Sequence, residues 1–365
     1  MAPQADQIAD LVQAARPTEI RDKWVDASQK KQKYHALPRL LVQNRTKLSG
    51  GLGPRLRVRV KSTATAKFTG LYASDTTNVT DVFQYIQMGW RHATNNWSYE
   101  EREPEINSGP DAIFNLVQAR EATAMLDLTD LIENAFFTTI PTATDTDQLH
   151  GIFYWLVPYS SAAATPTNPG ADDFYGLDPY AKNAAEITGG AGGLSSDTYP
   201  YWANWAAKYT DVTPDDAIRL MRNAADYTDF EAPVPVPQYD RIEDDWGLYT
   251  VHSALASMQT LARQQNESIG FDIGSKAVTF NNRPIEWVRA LEAVSGAPII
   301  GLNWSTFEVH HLSDPFVKKT PPLRNKESHN VWNCFVDMSM DTLCCNRRRN
   351  WILTTTDVAS ITYSV

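Results

Sequence analysis

The sequence predicts an α+β fold, on three observations. Residues 56–61 ("LRVRVK") alternate strictly, with Leu56, Val58 and Val60 on one face and Arg57, Arg59 and Lys61 on the other. Such period-two alternation marks a half-buried strand. Residues 108–137 carry one apolar stripe at helical spacing, a helix about 28 residues or about 42 Å long. Residues 331–340 return to alternation: Trp332, Cys334, Val336, Met338 and Met340 share a face, Asn333, Asp337 and Ser339 take the other, and Phe335 is the exception.

In chain order, residues 5–35 read as helical. Ile8, Leu11, Val12 and Ala15 form a narrow stripe, and Ile20, Trp24 and Ala27 another after Pro17. So thin a stripe buries little, which suits an arm that docks elsewhere. "KLSGGLGP" (47–54) breaks the chain. The strand at 56–61 leads through a stretch rich in hydroxyls (62–80) to a second strand at 82–92. Together they predict a long hairpin, marginal in water without a surface to lie on. In the long helix, Pro110 and Asp111 suit the first turn, and the stripe runs through Ile113, Leu116, Val117, Ala124, Leu128, Leu131, Ile132, Ala135 and Phe136. "HGIFYWLVPY" (150–159) reads as a strand. Thr213 and Pro214 open a helix running to about Tyr227. "APVPVPQ" (232–238) is a polyproline-like link. Residues 247–266 read as an amphipathic helix, and 277–288 as a hairpin turning at Asn281-Asn282. The closing alternation continues through "TLCCNRRRNWIL" as an extended ribbon.

The 365 residues are 42% hydrophobic and 21% charged, ordinary for a globular chain. There is no apolar run long enough to cross a membrane and no signal-peptide pattern. Three cysteines, two of them neighbours, point to a reducing cytosol, so the N-x-S/T triplets carry no glycosylation meaning. The net charge of −10 is uneven. Residues 1–67 hold 14 Lys+Arg against 5 Asp+Glu; the remainder holds 19 against 38. Two readings are open: a solvated basic segment, or a basic front that lies on the acidic body of another copy. An acidic body disfavours nucleic-acid binding by the chain as a whole.

Catalytic and metal chemistry finds little support. Cys344 and Cys345 are adjacent on a strand and point apart, without the partner spacing of a zinc site; His310 and His311 fail in the same way. His35, His92, His150, His252 and His329 are scattered polar residues. "GGAGG" (189–193) lacks the Lys-Ser/Thr of a phosphate loop and reads as a flexible loop. "YEEREPE" (99–105) and "EDD" (243–245), with eleven tryptophans, raise a carbohydrate-active enzyme or lectin, but no sequence spacing establishes a catalytic pair. No nucleophile elbow occurs. No cofactor or metal is implied. Arg347 and Arg349 share a face with Arg348 opposed, a pattern suited to salt bridges rather than to a converging phosphate clamp.

Several stretches in order resemble the major capsid proteins of tailed bacteriophages, of the Hong Kong 97 type: "LDLTDLIENAFF" (126–137), "YPYWANWAAKYTDV" (199–212), "WGLYTVHSAL" (246–255), "APIIGLNWSTFEV" (297–309), "DPFVKKTPP" (314–322) and "CCNRRRNWIL" (344–353). The resemblance implies an N-terminal arm (1–50) and an extended loop (51–106) lying across a neighbouring subunit. It also implies a peripheral domain with a spine helix (107–149), an axial domain (150–302), peripheral strands (303–350) and a C-terminal return to the axial domain (351–365). It lends no catalytic residue.

The implied function is a shell protein that assembles into hexamers and pentamers around double-stranded DNA, without sequence specificity, in a host bacterial cytoplasm. Portal and decoration proteins are implied partners. Only about fifty residues precede the hairpin, so a separate scaffolding protein, or none, is expected. The inter-subunit contact candidates are Trp24, Arg57, Arg59, Lys61, Lys67, Arg347, Arg348 and Arg349. The crosslink that some relatives form from a loop lysine to an asparagine is not carried over to Lys67. The rival within the fold is an encapsulin-type compartment. Arm and hairpin are expected to take their support from the next copy rather than from their own chain.

Overall fold

The computed structural model describes residues 33–40, 45–60, 67–71, 81–103, 116–138, 147–159, 190–194, 199, 202–229, 245–265, 278–312, 314–356 and 361. Among the described residues the strands form three sheets. The first contains β1 (Arg45–Lys47), β4 (Arg91–Glu100), β10 (Phe307–His311), β11 (Lys318–Lys319), β12 (Leu323–Arg324) and β13 (Val331–Cys344). β13 is its axis, pairing antiparallel with β4 from Val331–Glu100 to Met340–Arg91 and with β10 from Met340–His311 to Cys344–Phe307. The second runs β5 (Trp205–Lys208), β14 (Trp351–Thr354), β9 (Ile299–Asn303), β6 (Trp246–Thr250), β8 (Arg283–Trp287), β7 (Thr279–Phe280). The third is the ribbon β2 (Arg55–Arg59) and β3 (Phe83–Gln87).

Helix α1 (Leu116–Thr138) packs against β4. Ala124, Leu128, Ile132 and Phe136 are buried at four-residue spacing, where side chains stack on one face. Leu131, expected in that stripe, is 52% exposed. At the end of α1, Phe136 stacks on Trp304 at 5.7 Å and meets Phe307 edge-on. Phe137 meets Tyr249 edge-on, and Trp304 donates its indole N–H to the Tyr249 hydroxyl at 2.9 Å. Tyr249 is on β6 and Phe307 on β10, so this aromatic node joins the helix to both large sheets.

The alternation at 331–340 and the hairpin at Asn281-Asn282 are present; both asparagines have positive φ, as such a turn demands. Several elements differ from the sequence reading, among them the strand expected at 82–92, which is split between β3 and β4. Residues 152–155 form one helical turn, buried on every side, so no periodicity was there to read. Residues 246–250 form β6, and helix α3 (His252–Gln265) starts only after it. Thr213 precedes a turn of wider π-type that leads into α2 (Arg219–Thr228), and its side chain makes no capping bond. The glycine run is not a flexible loop: Gly190, Ala191 and Gly192 are buried, Gly192 has φ +70°, and a Cβ there meets Ile86 at 2.5 Å.

Candidate inter-subunit surfaces

The ribbon places two unlike faces back to back. Cross-strand partners share a face, and the register pairs Arg55 with Gln87, Arg57 with Tyr85 and Arg59 with Phe83. All six are exposed. The Arg55 guanidinium sits 4.0 Å over the Tyr85 ring and that of Arg57 5.2 Å, while Phe83 is 54% exposed. The opposite face carries Leu56, Val58, Val60 and Ile86; Ile86 and Val60 are fully buried, Ile86 against Gly192. Farther out, Lys67, Phe68 and Leu71 are exposed. Trp24 and Lys61 lie outside the described residues. Arg55, Phe83 and Tyr85 were missing from the sequence-derived set; Arg55 continues the β2 alternation by one step, and the cross-strand register, which the sequence does not fix, brings Phe83 and Tyr85 to the arginine face.

The support for arm and ribbon departs from expectation. In their described residues both lean on their own chain. Residues 33–40 form a strap across α1 and β8, with Ala36 and Leu40 buried. Glu133 on α1, only 1% exposed, accepts backbone N–H bonds from His35 (2.7 Å), Ala36 (3.1 Å) and Leu37 (3.0 Å). Tyr34 donates to Asp130 at 2.7 Å. Lys33 and His35 Nδ1 both reach Glu286, and Arg39 pairs with Asp245. Hydrogen bonding to His35 and then Lys33 holds the Glu286 carboxyl down to about 2, against the opposing effect of burial. The signal for Glu133 was an acid four residues before Phe137, on the flank of an apolar stripe.

The three arginines part company. β13 ends at Cys344, and Arg347–Arg349 form a 3₁₀ turn before β14, so no extended ribbon runs through them. Arg347 is 1% exposed, with its guanidinium donating to the carbonyl oxygens of Trp155 and Trp202 and lying 5.8 Å over the Trp202 ring. It ties the 152–155 turn to the entrance of β5, within its own subunit. This corrects the salt-bridge role read from the sequence. Arg348 and Arg349 are half-buried, and burial lowers the Arg348 pKa from its ordinary value.

Residues that suggested catalysis have structural neighbours. Glu103 pairs with Arg120 at 2.7 Å, Glu101 with Arg324 at 3.7 Å. Trp155, Trp202, Trp205, Trp304 and Trp351 are core side chains, out of reach of a sugar. His150 is no scattered polar residue. It is buried, its Nδ1–H donates to Asp341 at 2.9 Å, and Arg91 donates to its Nε2 at 3.0 Å. Burial drives the Cys344 thiol up to about 12 and raises that of Cys345 as well. Among the described residues no group of three or more His, Cys, Asp or Glu is placed to hold a metal.

No family model matches the chain, and no curated protein matches it. Solved structures do. The capsid asymmetric unit of Cyanophage A-1(L) aligns with a TM-score of 0.57 at 12% identity, over 92% of this chain and 97% of that one. The capsid of a native GTA particle aligns with a TM-score of 0.52 at 10% identity, over 92% and 95%. The chain has the Hong Kong 97-type capsid fold.

Proposed function

We propose that this chain is a major capsid protein, whose copies assemble into hexamers and pentamers as the shell around the double-stranded DNA of a tailed phage. The observation that carries the reading is the outer face of the β2–β3 ribbon, on a chain with a capsid fold. Arg55, Arg57 and Arg59 stand there beside exposed Phe83 and Tyr85, on a projection whose inner face is already satisfied. Exposed aromatic and arginine side chains together are typical of residues that anchor protein–protein contacts. In this reading the sheet centred on β13, with α1, is the peripheral domain and the sheet centred on β9 the axial domain. Lys61, Lys67, Arg348 and Arg349 remain contact candidates; scaffold, portal and decoration partners follow from the same reading.

The test has two parts. The triple reversal Arg57→Glu, Arg59→Glu, Lys61→Glu leaves the subunit folded by circular dichroism and removes particles from negative-stain micrographs. Unchanged particle yield refutes the role of this face. Particles recovered from producing cells hold nuclease-protected DNA; a protein-filled particle points instead to an encapsulin-type compartment.

A further inference from the structure

On β3 one residue alone is buried. Ile86 is wholly enclosed, while Phe83, Tyr85 and Gln87 are exposed and Gln84 is half-buried. Its seat is the turn Ala191–Gly193. A Cβ on Gly192 would lie 2.5 Å from Ile86 Cγ2 and 3.5 Å from Ile86 Cβ, so the two segments approach this closely only because residue 192 has no side chain. The left-handed backbone of Gly192, φ +70°, asks for glycine a second time.

The seat is held from behind by two buried rings. Gly192 donates its N–H to the Tyr154 hydroxyl at 2.9 Å, and Ala191 accepts the Trp202 indole N–H at 3.0 Å. The Tyr154 hydroxyl in turn donates toward Met88 Sδ at 4.0 Å, two residues beyond Ile86. The Tyr154 ring packs on that of His150, with centroids 4.4 Å apart, and the Trp202 carbonyl accepts from Arg347. A seat framed in this way does not give way to a larger side chain. The outer face depends on it. A two-stranded ribbon is marginal in water without a packed face. The arginine–aromatic face exists only while the strands keep register, with Arg57 opposite Tyr85 and Arg59 opposite Phe83.

We propose that the seating of Ile86 on Gly192 is a conformational switch for that face. Seated, β2 and β3 stay paired and the arginines stand beside Phe83 and Tyr85. Unseated, the ribbon frays and the face is lost. The switch itself is a property of the single subunit; its consequence for association rests on the reading of that face as an inter-subunit contact.

The experiment follows hydrogen–deuterium exchange of residues 55–59 and 83–87 in the unassembled full-length subunit, with particle yield measured separately. Gly192→Ala accelerates exchange of the ribbon about tenfold, while residues 124–136 of α1 keep their protection. In an Ile86→Ala background the added Cβ meets the Cβ of residue 86 at 3.5 Å, an ordinary contact, and the same substitution changes exchange by less than about twofold. The pair Ile86→Cys, Gly192→Cys places its Cβ atoms 3.5 Å apart, within disulfide range. Its oxidised form, with the bond confirmed by peptide mapping, exchanges about tenfold more slowly in the ribbon than its reduced form. Ribbon protection unchanged by Gly192→Ala, an equal effect of that substitution with and without Ile86, a cysteine pair that does not bond, or exchange indifferent to the bond each overturn the switch. Failure of the assembly reading has a different signature: the ribbon of Gly192→Ala exchanges fast, and particles still form at full yield.

Discussion

Glu133→Ala removes the anchor of the strap. In the native chain both carboxylate oxygens are engaged: Oε1 accepts from His35 and Ala36, Oε2 from Ala36 and Leu37, at 2.7–3.1 Å. The acceptor carboxyl faces the orphan N–H groups at the N-terminus of the helical turn Ala36–Pro38. Alanine strands three donors beside Ala36 and Leu40, each only 1% exposed. A buried donor left unmade costs about 1–3 kcal/mol, and water entering the vacated space recovers part, leaving about 3 kcal/mol for the set. The strap's own docking energy caps the loss, because a detached strap has nothing further to lose. The assay is hydrogen–deuterium exchange of the 33–40 segment in the unassembled subunit. At about 1.4 kcal/mol per tenfold, exchange of the 35–37 amides accelerates about a hundredfold while residues 124–136 keep their protection. Glu133→Gln keeps one carbonyl acceptor and turns an amide donor toward the remaining N–H, so it falls between. A change under about threefold for alanine, or glutamine as severe as alanine, refutes the anchoring role.

The strap also has an acid-sensitive link. Glu286 has a folded pKa of about 2 against 4.5 ordinarily, so its contribution is complete above about 4.5 and disappears as pH falls toward 2. Glu286→Gln therefore lowers Tm at pH 6, by the equivalent of about 1–2 kcal/mol once solvent screening is allowed for, and the difference shrinks as pH falls from about 4.5 and closes only below about pH 2. A gap that persists at low pH contradicts the ion-pair account. Arg347→Met destabilises the isolated subunit by about 2–4 kcal/mol in denaturant titration, because the carbonyls of Trp155 and Trp202 lose a buried charged donor. Were Arg347 an inter-subunit contact, the isolated subunit would keep its stability and only particle yield would fall.

What the sequence disclosed depended on whether an element has a wet side. β2 and β13 alternate because one face of each is solvated, so Arg57 against Val58 and Asp337 against Met338 are written in the residue types. The turn Ile152–Trp155 has no wet side, and four apolar residues in a row are as consistent with a strand as with a helix. β6 was absorbed into the following helix for the same reason: Leu248, Tyr249 and Val251 are buried all round, and nothing before His252 signals a start. The candidate surface was half legible. The arginine row of β2 was visible, whereas Phe83 and Tyr85 join it only through a cross-strand register. The three arginines at 347–349 are identical as letters and differ only in what the fold brings to each, and that is tertiary information.

In the proposed capsid reading, the acid-free run from Lys33 to Lys67 links folding to association. A segment with no carboxylate of its own cannot neutralise itself through local pairs, so every match comes from a distant part of the chain or from another molecule. Close to the body, distant carboxylates of the same chain serve: Glu286 for Lys33, Asp245 for Arg39, Asp314 for Lys47. On the ribbon, Arg55 and Arg57 lie instead over the Tyr85 ring, a contact that leaves a cation its charge and its outward N–H groups. Positive charge is thus spent on folding at the root of the hairpin and kept on its outer face. The remaining 298 residues, with twice as many acids as bases, give a second copy the opposite sign to offer. An arm neutralised along its whole length would fold equally well and would have no electrostatic reason to find a neighbour.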